Sequence, residues 1–215
     1  MNIKDNWKIF FEKKSNLYLL TGTFVVLVLC VFLLSRFIIF VESRNGAVIN
    51  DPLFAFFNAI VLNVPIFTLI YGSIVSCLVY LFINYPSRFI EALQSYSLLV
   101  VIRMAMMYVT PLDPPAGTID LQDPLVFVVG TGTKITRDLF FSGHTSTLFL
   151  IFLLTVNRRL KYVYLASTIL VGTFVILQKA HYTIDVLVAP FISYAVYKII
   201  LYLNENFFQK NNPVR

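Results

Sequence analysis

Charge is scarce in this chain. Only 13% of its 215 residues are Asp, Glu, Lys or Arg, against 58% hydrophobic ones. A water-soluble domain carries about 25% charged residues, and a disordered chain is poor in aliphatic and aromatic side chains, so both classes are excluded. Cysteine is nearly absent: Cys30 and Cys77 both lie inside apolar runs, which excludes a disulfide framework and a cysteine-held metal cluster. Acidic residues are outnumbered 11 to 17, for a net charge of +6. In a soluble protein that excess would suggest nucleic acid. In a membrane chain the basic residues first set topology, and no nucleic-acid partner is expected. Histidine is scarce too, with two in the whole chain.

What is present is apolar bulk: 21 Phe, 12 Tyr and a mean hydropathy of +0.79. The composition predicts an all-α, multi-pass integral membrane protein. At about 20 residues per span, one membrane domain over residues 1–215 has room for a bundle of about six transmembrane helices. Leu17–Phe40 is too long for the apolar core of a signal peptide and is expected to remain as the first span. The apolar stretch Leu53–Ile83 is interrupted at Asn58, Asn63 and Pro65, which predicts a short interfacial or re-entrant piece and then span two. Span three is expected over Phe89–Thr110, span four over Phe140–Val156, span five over Tyr162–Gln178, and span six from after His181 to Leu203. A basic turn, Asn157-Arg158-Arg159-Leu160-Lys161, is expected between spans four and five. The longest connection, Pro111–Asp138, holds four prolines and three glycines and reads as a loop punctuated by turns.

Lys and Arg divide unevenly between alternate connections. One side takes Lys4, Lys8, Lys13, Lys14, Arg88, Arg158, Arg159, Lys161, Lys210 and Arg215; the other takes Arg44, Lys134, Arg137 and Lys179. The heavier side is predicted to be cytoplasmic, with both termini. The long loop and Lys179-Ala180-His181 then face the extracytoplasmic or lumenal side.

Both histidines fall at that face, at the outer ends of spans four and six. His181 and Asp185 stand at i and i+4, on one side of a helix, where the carboxylate can accept from an imidazole nitrogen and fix its tautomer. An oriented imidazole with its other nitrogen free is a candidate nucleophile or base. The bland alternative is a satisfied polar cap for His181 and Asp185, and a helix-start role for His144. Two His and one Asp can also ligate iron or zinc, but there is no His-Glu-x-x-His and little carboxylate nearby. Lys134, Arg137, Lys179 and Arg103 instead suit an anionic substrate, although each alone can serve as a headgroup anchor. Arg103 lies within span three and needs a buried partner or a watered cavity. Ser142 and Gly143 suit a helix start whose free N–H groups bind phosphate oxygens, and Asp138 is a candidate to orient His144 or a cationic headgroup, or a helix cap.

Three stretches carry a family resemblance. Arg137-Asp138-Leu139-Phe140-Phe141-Ser142-Gly143-His144-Thr145 resembles the Gly-Asp-x-x-x-Ser-Gly-His-Thr motif of sphingomyelin synthases, and His181-Tyr182-Thr183-Ile184-Asp185-Val186 resembles their His-Tyr-Thr-Ile-Asp-Val motif. Arg103 followed by Met107-Tyr108-Val109-Thr110-Pro111 is similar to a third. The resemblance covers a catalytic core over 95–203; the N-terminal spans, 17–94, match only in hydrophobicity. It implies membership of the type 2 phosphatidic acid phosphatase superfamily, a six-span fold, and a double displacement at phosphorus with no metal and no cofactor. It assigns His181 as the nucleophile that forms a phospho-histidine, Asp185 as its orienting base, and His144 as the proton donor to the leaving alkoxide. The implied partners are a phospholipid donor in the bilayer and ceramide, diacylglycerol or water as acceptor.

This sequence departs from the phosphatase branch at Phe141, where that branch has Pro, and at Phe174, where it has Arg. It departs from the synthase branch at Arg137, where that branch has Gly. The leading expectation is a headgroup phosphotransferase. A lipid phosphate phosphatase or phospholipase C-like hydrolase would use the same three residues with water. A non-catalytic lipid-binding protein would tolerate their replacement.

Overall fold

The computed structural model describes residues 3–121, 123 and 135–206, and the described chain is helical. Seven α-helices occur among these residues: α1 (Ile3–Phe11), α2 (Lys14–Glu42), α3 (Asn63–Asn84), α4 (Pro86–Val109), α5 (Gly143–Leu154), α6 (Arg158–Leu177) and α7 (Thr183–Asn204), with a 3-10 turn at Pro52–Ala55. Five of them, α2, α3, α4, α6 and α7, are long and apolar enough to cross a membrane. This is a multi-pass membrane architecture.

The boundaries have local causes. Pro86 opens α4 at a position that needs no N–H donor, and it ends α3 at Asn84 by disfavouring helix in the residue before it. Asn157 caps α6 by accepting from the N–H groups of Arg159 and Leu160. The expected basic turn is therefore displaced: Arg158, Arg159 and Lys161 form the first turn of a helix that starts four residues earlier than the hydropathy suggests. The fourth expected span also shrinks. Helix α5 has 12 residues, about 18 Å at 1.5 Å per residue, short of the roughly 30 Å hydrocarbon core. Five helices are thus of spanning length, and the expected fourth span is this short apolar helix. Hydropathy alone could not find the shorter limits, because Phe140 and Phe141 before it and Val156 after it are as apolar as a span. Helix α1 was not anticipated. Its Asn6 and Trp7 side chains donate to the carbonyls of Ile83 and Phe82, pinning it to the end of α3.

The core lies between α3, α4, α5, α6 and α7 and is built on Ile66, Leu81, Leu99, Leu148, Val171 and Val196. Helix α2 packs on α4 from outside this core. Gly172 of α6 lies where a Cβ would press on Val186 of α7 and touch Thr145 of α5, so three helices meet closely there.

The end of the bundle opposite α1 is stitched by hydrogen bonds between connections. Ala47 N–H donates to Pro111 O and Asp113 N–H to Ala47 O, both at 3.0 Å. Gly46 beside them leaves no room for a Cβ against the backbone of Leu112. Glu42, at the end of α2, accepts from Thr136 and from the Arg137 N–H. Gln178, fully buried, donates through Nε2 to Asn63, Ile119 and Asp120 and accepts from the Leu62 N–H. These bonds draw the chain segments on either side of both histidines to one end.

Candidate active site

Helices α5 and α7 start side by side at that end. The Ser142 N–H donates to the Asp185 carbonyl at 3.1 Å. One turn deeper, the Ser193 hydroxyl donates to the Ser146 carbonyl at 2.9 Å. Each start is fastened by its own polar residues. The Ser142 hydroxyl accepts from the Thr145 N–H. On α7 the Asp185 carboxylate accepts from the Tyr182 N–H at 2.9 Å, and Asp51 Oδ2 accepts from the Thr183 N–H at 2.7 Å. The Tyr182 hydroxyl, donating to Asp113 O and accepting from the Ile49 N–H, ties the same turn to two connections.

This scaffold brings the two histidines together. Their ring centroids are 6.1 Å apart in an edge-to-face arrangement. His181 Nδ1 is 3.4 Å from Asp185 Oδ2, and both side chains are buried, at 2% and 0% exposure. The separation is longer than a formed hydrogen bond, and catalytic contacts of this kind tighten when substrate binds. Pointing Nδ1 at the carboxylate leaves His181 Nε2 as the free nitrogen.

Arg103 of α4 completes the cluster. Its Nη2 pairs with Asp138 Oδ1 at 2.7 Å, and its guanidinium lies directly over Gly143. A Cβ at residue 143 would overlap that guanidinium, so glycine is required for Arg103 to approach the start of α5. The Gly143 and His144 N–H groups sit in the first turn of α5, where no helical carbonyl stands behind them. Arg103 Nε, His144 Nδ1, His181 Nδ1 and Asp185 Oδ1 are buried without a hydrogen-bond partner. Buried polar atoms are rarely left so, and here the Arg103 guanidinium and the first N–H groups of α5 lie beside two imidazoles 6.1 Å apart. The arrangement fits a phosphate ester, with one imidazole to attack phosphorus and another to exchange a proton with its oxygen.

The other residues expected from the sequence are placed differently. Arg137 turns to Asp113 Oδ1 and to the Glu42 carbonyl, each at 2.6 Å, and closes the connections. Lys179 donates to the Phe54 carbonyl at 3.1 Å and lies over the rings of Phe54 and Phe57. Asp138 is the partner of Arg103 and not of His144. Lys134 lies outside the described residues. No group of three or more His, Cys, Asp or Glu that would hold a metal occurs among the described residues. Gln178, Asp51, Tyr71 and Asp123 were not singled out from the sequence. Gln178 had one available signal, a polar residue closing an apolar span immediately before Lys179-Ala180-His181.

The comparisons with known proteins fall on this site. Residues 137–202 match the family model described as PAP2 superfamily C-terminal, a segment that holds both histidines and Asp185. Among solved structures the chain is similar to LpxE of Aquifex aeolicus, with a TM-score of 0.50 and 20% identity over 78% of this chain and 93% of that one. At that identity the likeness is one of fold. No curated protein matches the chain. Together these findings agree with the superfamily expected from the sequence over residues 137–202 and with a fold shared with LpxE. They do not reach the sphingomyelin synthase-like branch.

Proposed function

We propose that this protein cleaves the phosphate ester of a membrane lipid through a phospho-histidine on His181. The observation that carries the reading is the buried pairing of His181 with Asp185 beside His144 and Arg103. His181 Nε2 attacks phosphorus, and the imidazolium that forms is stabilised by Asp185. His144 gives a proton to the departing lipid alkoxide, so the P–O bond breaks as the N–P bond forms. Arg103 and the first N–H groups of α5 hold the non-bridging oxygens, where negative charge grows. In the second half His144 takes a proton from the acceptor, whose oxygen displaces His181 from phosphorus.

Water as acceptor makes the enzyme a lipid phosphatase, the reading the superfamily match supports. A second reading, transfer of the phospho-headgroup to ceramide or diacylglycerol, is favoured by the burial of His181 and by Phe141 and Phe174. A phospho-histidine shielded from bulk water survives to meet a lipid alcohol. Phe141 is buried, Phe174 packs against the core, and the cation comes from Arg103 on α4. In either reading six membrane crossings, with α5 as the short fourth, place both termini in the cytoplasm and the histidines at the extracytoplasmic or lumenal face. Lys179 and Arg137 line the headgroup side only where their present partners release them.

Purified protein in liposomes with fluorescent ceramide and a panel of phospholipid donors tests both readings, with His181→Ala as blank and EDTA in one arm. Free phosphate or diacylglycerol without a labelled product establishes hydrolysis; a new fluorescent phosphosphingolipid establishes transfer. Activity equal to wild type in His181→Ala overturns both.

A further inference from the structure

The carboxylate nearest His144 belongs to none of the three sequence signatures. Asp123, from the connection between α4 and α5, places Oδ2 4.0 Å from His144 Nε2. Its Oδ1 accepts a hydrogen bond from the Tyr71 hydroxyl on α3. Tyr71 stacks on Phe67, one turn earlier, and the Phe67 ring meets the His144 imidazole edge to face at a centroid distance of 5.9 Å. One face of α3 therefore fixes both the carboxylate and the ring that it faces.

The geometry points to Asp123 as the positioning residue for His144, holding its Nε2 edge and leaving Nδ1 to exchange a proton with the substrate oxygen. This assignment rests on the acid–base role given to His144 above. The site would then contain two imidazole–carboxylate pairs of opposite polarity: His181 meets Asp185 through Nδ1, and His144 meets Asp123 through Nε2. His144 Nδ1 is one of the buried atoms without a hydrogen-bond partner in the protein, and so is open to a substrate oxygen. The charged groups facing His144 are His181 on α7, Arg103 on α4, and Asp123 and Asp138 from the connection. Asp138 is already engaged by Arg103 at 2.7 Å. Asp123 Oδ2, 4.0 Å from His144 Nε2, is placed to support the imidazolium, since an opposite charge within about 4–6 Å favours the charged form. A 4.0 Å approach needs to close by about 1 Å to become a hydrogen bond, the kind of tightening that accompanies substrate binding.

The test is steady-state kinetics against pH on the full chain in liposomes, with fluorescent phosphatidic acid in one arm and fluorescent phosphatidylcholine in another. Wild type, Asp123→Asn and Tyr71→Phe are compared, with His144→Ala as reference and thermal unfolding to check that each variant folds. Asp123→Asn is expected to lower kcat roughly 10–100-fold with KM little changed, the scale of a misplaced proton donor. Without the carboxylate the imidazolium loses its proton more readily, so the alkaline limb of the kcat profile moves to lower pH, by about one unit. Tyr71→Phe moves both in the same direction by less, and so carries the test if Asp123→Asn does not fold. Unchanged kcat and pH limb in Asp123→Asn, with His144→Ala inactive, overturns the assignment and leaves the proposed function standing. A change confined to KM for phosphatidylcholine also overturns it, in favour of a site for the cationic headgroup. An active His144→Ala removes the reading on which it rests.

Discussion

Helices α2 and α7 look alike in composition and have opposite roles. Helix α2 has 29 residues and buries four of them, Thr23, Cys30, Ile38 and Val41. Helix α7 has 22 and buries Asp185, Val186, Ala189, Ser193, Val196 and Ile200, a stripe at helical spacing that includes a carboxylate and a hydroxyl. In lipid an apolar side chain gains little by facing protein, so hydrophobicity marks a helix as membrane-borne without saying what it touches. Small and polar residues in register do say it. Within hydrocarbon they are costly unless another helix satisfies them. Helix α7 is held by the Ser142–Asp185 and Ser146–Ser193 bonds; α2 shows most of its length to the bilayer.

The largest effect that would test this contrast is at the histidines. His181→Ala is expected to lower turnover by at least 10³–10⁴-fold, roughly the scale of losing a nucleophile or general acid–base, with little change in melting temperature. Asp185→Asn should follow at a smaller loss; radiolabelled phosphate release reads both. A rate within tenfold of wild type in His181→Ala would make α7 a structural helix like α2.

Next comes Gly143→Ala. Its Cβ would displace the Arg103 guanidinium, and a displacement of about 1 Å at the reacting centre costs on the order of 10²-fold in kcat. Full activity would show that Arg103 does not act from its observed place. Gln178→Leu is expected to destabilise without touching the chemistry. It orphans the Leu62 N–H and the Asn63 side chain, at roughly 1–3 kcal/mol for each buried group left unpaired. Differential scanning fluorimetry in detergent reads it, and an unchanged midpoint would mean that water replaces the amide. The smallest effect belongs to α2. Val25→Leu, on its exposed face, should change stability by no more than about 0.5 kcal/mol and activity not at all. A clear loss of activity would reveal a partner for α2 that the bundle itself lacks.

Much of the site was legible because its chemistry is local. His181 and Asp185 are four residues apart on one helix, and Ser142-Gly143-His144 is a helix start whichever neighbour it finds. The spans were legible because hydropathy over twenty residues is a robust average. Their ends were less so: α5 is bounded by Ser142 and Thr155, whose capping and side-chain bonds hydropathy does not see. The roles of the cations were the least legible. Arg103 stood apart in the sequence as a charge inside a span that needs a partner, but nothing there showed that it lies against the start of α5, while Arg137 and Lys179 are held by Asp113, Glu42 and Phe54.

By itself the sequence determined a helical membrane protein with two imidazoles and a carboxylate at one face, because composition and i, i+4 spacing act over a few residues or over a whole span. Only the tertiary structure decided which charge meets which. Arg103 reaches Asp138 across 35 positions, Gln178 closes on Asn63 across 115, and Tyr71 presents Asp123 to His144 across 52. A side chain buried where water cannot reach takes the partner that the packing of helices brings within 3 Å, and that choice is written in no single segment.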